Sequence, residues 1–353
     1  MGRMATPGFL RFSQALPGIL NVTFSGAEAN VAASVSMLGG QARFVTALPR
    51  NAIADACVDR LRGLGIETRH ILRTEEGRLG LYFLETGANQ RPSQVIYDRD
   101  GSALALTPAD RYPWPAIFEG ARWFHITGIT PAVSRVAAEA ALAAVQAAKK
   151  AGTEVSCDLN FRKKLWQWDA SKKPQTLAEA TMRGLLKLVD MVIANEEDCS
   201  DVLGIRAGAS DVQTGRLDIN RYADAARQVV RQFPQVSLVA ITLRESFSAS
   251  HNNWGAMLYV AKDNQAHFAP HVDGQYKPYE MRNIVDRVGA GDAFAGGLIF
   301  ACTTPELSEP PMALRFATAA SCLAHSIEGD FNYVSRQEVG ALMGGAASGR
   351  VVR

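Results

Sequence analysis

The sequence predicts an α/β protein, a doubly wound and mostly parallel sheet flanked by helices, with a small β-sheet lid. Three observations predict it. From residue 24 onward, short β-branched or aromatic runs alternate with longer alanine-rich helical patterns, the signature of βαβ units. The segment Leu79 to Asp100 breaks that rhythm with two strand-like runs joined by a turn-rich stretch, Gly87 to Pro92. Toward the far end a glycine turn, Asp286-Arg-Val-Gly-Ala-Gly-Asp292, runs directly into an apolar helix.

The elements follow in order. Ala29 to Met37 reads as a helix, Ala42 to Leu48 as a strand, and Ala52 to Leu64 as a helix stopped by Gly65. Arg122 to Thr127 reads as a strand and Pro131 to Ala151 as one helix, with proline at its start and Gly152 as its stop. A strand at Glu154 to Asp158, a helix near Leu177 to Val189 and a strand at Met191 to Ala194 continue the alternation. A helix at Ile219 to Phe233 and a strand at Ser237 to Leu243 complete it. Ala256 to Ala261 and Gln265 to Phe268 flank Asp263-Asn264 as a hairpin. The whole chain, 1–353, reads as one domain, with a lid built from about 9–24 and 79–104 inserted in it. A small-residue tail follows Gly344.

Composition excludes several classes. With 47% apolar and 20% charged residues, 353 residues can bury a large core. The net charge of +2 and the lack of a basic run argue against a nucleic-acid partner. Five widely spaced cysteines without a Cys-x-x-Cys pair argue against a disulfide framework or a zinc site. His267 and His271 are four apart, but Pro270 opposes the helix that would pair them on a metal. Neither a signal peptide nor an 18-residue apolar run is evident, so the expectation is a cytoplasmic protein without a membrane partner.

The glycine turn carries the chemistry. Helix N-termini offer unpaired N–H groups and the positive end of the dipole, and Gly289, Ala290 and Gly291 are small enough to let an anion close in. Asp292 would repel a phosphate it touched, so its useful place is one step away, accepting the proton of an attacking hydroxyl. The dipole makes it a weak base, which phosphoryl transfer tolerates. A helix cap on a plain turn would account for the same string. A dinucleotide loop would need glycine where Phe294 stands, and no Walker loop occurs.

With this turn, and with Ser25-Gly-Ala-Glu-Ala-Asn30 and Leu38-Gly39 near the start, the chain resembles the ribokinase-like (PfkB) family of carbohydrate kinases over nearly its whole length, and within it the 2-keto-3-deoxygluconate kinases. The resemblance implies ATP-dependent phosphorylation of a primary sugar hydroxyl, with Asp292 as base and residues 289–291 as anion hole. An acid sugar also needs a cation, ideally the fork of arginine. Tyr97-Asp-Arg99 on the lid and Asp158-Leu-Asn-Phe-Arg162 after a strand resemble the elements with which keto-acid kinases hold their substrate, and Lys164-Leu-Trp166 extends the match. Tyr82, on the paired strand, is expected to face the same pocket, with Gly26 and Asn30 on the opposite wall.

For the nucleotide, Asn195 and Asp198 of Ile193-Ala-Asn195-Glu-Glu-Asp198 resemble an Asn-x-x-Glu element that places Mg2+ through water, with Glu196 and Glu197 as alternatives to Asp198. Thr242 and Arg244 resemble a nucleotide loop whose glycine is replaced, so Arg244 either touches a phosphate or blocks the usual course of the loop. Thr318 falls near an adenine-side position. Relatives' K+ activation would use carbonyls near Asp286. The rival readings are a neutral-sugar kinase of the same fold and a non-catalytic sugar sensor. Exposed lid strands suggest a homo-oligomer. Family members begin with an apolar strand ending in Gly-Asp or Gly-Glu, and none is visible before Met1-Gly-Arg-Met-Ala-Thr-Pro-Gly8. The expectation is either a late start or a sheet lacking its first strand.

Overall fold

The structure, a computed structural model, describes residues 1–195, 197–205 and 220–345. The large sheet holds β7 (Trp123–Thr127), β8 (Glu154–Asp158), β9 (Met191–Asn195), β10 (Leu238–Ser246), β11 (Asn252–Val260) and β12 (Gln265–Ala269), with β15 (Tyr279–Met281) also paired to β11. The strands β7 to β10 run parallel in chain order, and β11, β12 and β15 join antiparallel, so the sheet is mixed. A separate four-stranded sheet has the order β2-β1-β5-β6, from β1 (Gly2–Ala5), β2 (Asn21–Phe24), β5 (Leu81–Glu85) and β6 (Gln94–Asp98). A parallel pair, β3 (Thr46–Pro49) and β4 (Ile71–Thr74), stands alone, as does a short hairpin of β13 (His271–Val272) and β14 (Gln275–Tyr276).

The helices are α1 (Phe12–Ala15), α2 (Ala27–Met37), α3 (Ala52–Gly63), α4 (Ala103–Leu106), α5 (Trp114–Phe118), α6 (Ile129–Val133) and α7 (Arg135–Lys150). They continue with α8 (Pro174–Leu186), α9 (Asp198–Leu203), α10 (Asn220–Gln232), α11 (Ala290–Cys302), α12 (Pro310–Ala324) and α13 (Arg336–Met343). Period-two alternation sorts them onto two faces of the large sheet. Val192 and Ala194 of β9 join the cluster of Ala141, Val145, Leu177 and Met182 from α7 and α8. Met191 and Ile193 join Val31, Phe294, Leu298 and Phe316 from α2, α11 and α12. Strands buried on both faces read as continuous apolar runs, which is why the sequence signal was strong.

Several expectations are corrected. The chain does form a strand at Gly2–Ala5, but in the small sheet, where it pairs with β2 and β5, so that sheet takes in residues outside 9–24 and 79–104. The helix expected from Pro131 to Ala151 is two helices, because Ser134 leaves the helical region at φ −163° and ψ 166° and caps α7, accepting the Ala137 N–H at 3.0 Å. The strand expected from Ala42 begins pairing as a strand only at Thr46, after an isolated bridge between Arg43 and Glu67. The hairpin around Asp263-Asn264 forms, with Asn264 at φ 50°. Ile219 lies outside the described residues, as does the tail beyond Gly345.

Close packing of α11 on α2 fixes the site. A Cβ on Gly296 would stand 2.6 Å from Ser34 Cβ and 3.0 Å from Val31 O, so the helices touch through glycine. Gly296→Ala should cost about 1–3 kcal/mol by overpacking. Because Asn30 rides on α2, activity should fall with it; denaturant unfolding and turnover measured together check this, and an unchanged variant would contradict the packing argument.

Candidate active site

The helix α11 starts at Gly289, which is left-handed at φ 87°, and a Cβ there would lie 2.3 Å from Asp330 O. Only glycine fits. Gly291, by contrast, has open space where a side chain would be, so the first N–H groups of the helix open onto an accessible hollow. Ser321 Oγ donates to Ala290 O at 2.6 Å and pins this first turn to α12.

Asp292 follows on the same turn and is buried. Asn30 Nδ2 donates to its Oδ2 at 2.7 Å, and Asn30 Oδ1 accepts the Gly26 N–H at 3.3 Å. Burial raises the Asp292 carboxyl to about 7, helped by the charge of Asp330 and opposed by the Asn30 bond and Arg162. The sequence reading expected a weak base set by the helix dipole; loss of water outweighs the dipole here.

Two buried carboxylates flank a buried arginine that sequence reasoning missed. Arg3 donates to Asp286 through one nitrogen and to Asp330 through the other. The Val288 and Gly329 N–H groups donate to Asp286 at 3.0 and 3.2 Å. The Tyr82 hydroxyl lies 2.8 Å from both oxygens of Asp330. Tyr82 was expected to face the sugar pocket, whereas its hydroxyl is occupied in bracing Asp330. Nothing local in Gly329-Asp330-Phe331-Asn332 announced this role.

Arg162, on the loop after β8, lies within electrostatic reach of Asp158, Asp198 and Asp292 and donates to its neighbour Phe161 O at 2.8 Å. Burial, together with the charges of Asp198 and Asp292, holds the Asp158 carboxyl well above its ordinary range. Lys164 Nζ reaches Val95 O at 3.3 Å and ties this loop to the lid. Tyr97 stands opposite Tyr82 in the β5–β6 register. Arg99 is half-buried, its Nη1 3.4 Å from Met1 Sδ, and burial lowers its pKa. Glu28 lies within electrostatic reach of both Arg99 and Asp292. Among the described residues neither Arg99 nor Arg162 forms an ion pair. Arg91 is tied to Glu85 at 3.0 Å. Gly26 caps α2 at φ 145° beside Met1 and Ala29.

The nucleotide candidates scatter more. Asn195 Oδ1 accepts the Glu197 and Asp198 N–H groups at 2.8 and 2.9 Å, closing the turn after β9. The Asp198 carboxylate is buried and accepts the Phe161 and Asn195 N–H groups at 3.1 and 3.2 Å. Among the described residues no three His, Cys, Asp or Glu side chains converge enough to hold a metal directly. Glu196 lies outside the described residues. Thr242 pairs in register with Asn195 at the carboxyl end of β9. Arg244 stacks on Trp254, its guanidinium carbon 4.9 Å from the ring centroid. Thr318 is placed in the core of α12, fully buried, with Oγ1 donating to Leu314 O at 2.7 Å, and so does not face the hollow.

The folded-state carboxyl of Asp292 lies above its ordinary value, so the fold keeps a proton that the unfolded chain loses as pH rises through about 4. Stability attributable to this group therefore falls between about pH 4 and 7. Asp292→Asn should be more favourable relative to the native protein at pH 8 than at pH 4, by about 2–4 kcal/mol. Urea unfolding at both values checks it; a difference independent of pH would refute the buried base.

Comparisons with known proteins point to one family. The profile of the pfkB family carbohydrate kinases matches residues 14–332. The crystal structure of 2-dehydro-3-deoxygluconokinase from Thermotoga maritima superposes with a TM-score of 0.87 at 40% identity, covering 98% of this chain and 97% of that one. A 2-dehydro-3-deoxygalactonokinase from Haloferax volcanii is 29% identical over 92% of this chain and 89% of its own length. A fructokinase from Klebsiella pneumoniae is 28% identical over 78% of this chain and 75% of its own length.

Proposed function

This chain belongs to the pfkB family of carbohydrate kinases, and we propose that it transfers the γ-phosphoryl group of ATP to the primary hydroxyl of a 2-keto-3-deoxy acid sugar, 2-keto-3-deoxygluconate or its galactonate epimer. The observation that carries the reaction is Asp292, a buried carboxylate raised to about 7 and oriented by Asn30 at the mouth of the α11 N-terminus. It accepts the hydroxyl proton as the sugar oxygen bonds to the γ-phosphorus and the bond to the β-phosphate oxygen breaks, releasing ADP. The N–H groups at 289–291 receive the negative charge gathering on the transferred group.

A bound magnesium ion would neutralise phosphate charge, held through water near Asp158 and Asp198. Asn195 and Thr242 border the same strand ends, and the N–H groups and carboxylates there suit a nucleotide's phosphates and their ion. The acid-sugar reading rests on Arg99 and Arg162, two guanidinium groups bordering the site without ion-pair partners among the described residues. A burial-weakened cation with open donors suits a substrate carboxylate. Relatives that act on acid sugars and on fructose both resemble the chain, so the arginines decide between them.

Asp292→Ala should lower kcat by at least about 100-fold with little change in KM, the usual scale for a general base; undiminished turnover would exclude the mechanism. Arg162→Ala should raise KM for 2-keto-3-deoxygluconate by about 10–100-fold, the worth of a charge-assisted hydrogen bond, and leave any turnover of fructose unchanged. Equal losses on both sugars would instead favour the neutral-sugar reading.

A further inference from the structure

Arg287 stands inside the glycine turn, before Gly289, and none of the steps assigned to Asp292 and the 289–291 amides uses it. It is half-buried, and burial lowers its pKa with no carboxylate offsetting the effect. Among the described residues it has neither a hydrogen bond nor an ion pair. Its neighbour Asp286 is already taken up, one oxygen accepting the Val288 N–H and the other accepting from Arg3 and the Gly329 N–H.

Two buried rings link this turn to β10 and β11. The His325 carbonyl, just past α12, accepts the Val285 and Asp286 N–H groups at 2.9 and 3.4 Å and so holds the start of the turn. The His325 ring meets the Trp254 ring edge-on with centroids 5.0 Å apart, and Arg244 covers Trp254 from β10. Burial, with the charges of Arg244 and Arg287, holds His325 down to about 4, so at neutrality it adds no charge of its own. Both guanidinium groups are thus within electrostatic reach of one dry, neutral ring. In the same cluster His325 Nε2 and Trp254 Nε1 are buried without a hydrogen-bond partner. Holding cations beside such groups costs free energy that a bound anion returns.

We propose that Arg287 binds the β-phosphate of the nucleotide donor and takes up the charge left on it when the γ-phosphoryl group departs, an inference that rests on the kinase reading. In that step the sugar oxygen bonds to the γ-phosphorus and its proton passes to Asp292. The bond from phosphorus to the β-bridging oxygen breaks, and its electron pair stays on the β-phosphate. Entering and leaving oxygens lie roughly in line across the phosphorus, so the leaving side is turned away from the base. The charges felt most at Asp292 are Asp330, Arg162 and Glu28, whereas Arg287 is felt with Arg244 at His325. Asp292 therefore suits the entering oxygen and Arg287 the departing one, with the amides of 289–291 between them in the chain. A guanidinium fork can also bond two phosphate oxygens at once.

The test is calorimetric binding of ADP, AMP and 2-keto-3-deoxygluconate to the native protein and to Arg287→Met, Arg287→Gln and Arg287→Lys, with turnover measured beside it. We expect Arg287→Met to weaken ADP binding by about 10–100-fold, the worth of a charge-assisted hydrogen bond, and AMP binding far less. Its kcat should fall by about 100-fold or more, the scale for losing one donor to a developing charge, while KM for the sugar holds. Arg287→Lys, which keeps the charge, should bind ADP more tightly than Arg287→Met. Arg287→Gln is also neutral and repeats the comparison should Arg287→Met fail to fold. Equal losses of ADP and AMP affinity would mark a structural role and overturn the proposal, as would a loss confined to the acid sugar or unchanged ADP affinity in the folded variants. Such a failure with sugar turnover intact leaves the kinase assignment standing. A native protein that phosphorylates no sugar would instead sink that assignment, and the ADP comparison would still decide the phosphate contact.

Discussion

Arg3 and the two carboxylates that close on it hold the site together. The guanidinium sits between Asp286, at the head of the glycine turn, and Asp330, whose carbonyl presses on Gly289. One side chain thus joins the small sheet, the glycine turn and the segment before α13. A buried triad of this kind gives little net stability, since desolvating three charges costs nearly as much as their attraction returns. What it supplies is position: Val288, Gly289 and the first turn of α11 cannot shift without unpairing a buried ion.

That framework explains why Asp292 can be dry and still useful. The charges of Asp330 and Glu28 add to desolvation in raising its carboxyl, while Asn30 and Arg162 pull the other way. The balance leaves a group that takes a proton readily near neutrality, better matched to accepting one than the weak base a helix dipole alone would make. Arg162, on the loop after β8, and Arg99, just beyond β6, are each without a carboxylate partner among the described residues. The proposed acid-sugar reading rests on these two cations.

Much of this was legible in the sequence where the cause was local. The glycine turn was readable as the start of a helix because a left-handed residue before α11 needs glycine, and the strands of the large sheet because both faces are buried. Ser134 could have been read as the break between α6 and α7, since a serine cap three residues before Ala137 is a local signal. Arg3 could not, for its partners lie 283 and 327 residues away and no pattern around it marks burial. Asn30 was recognised as part of a motif, but its bond to Asp292 spans 262 residues. Thr318 illustrates the opposite failure. The resemblance put it near the adenine side, yet its hydroxyl satisfies itself on Leu314 O and the residue is buried.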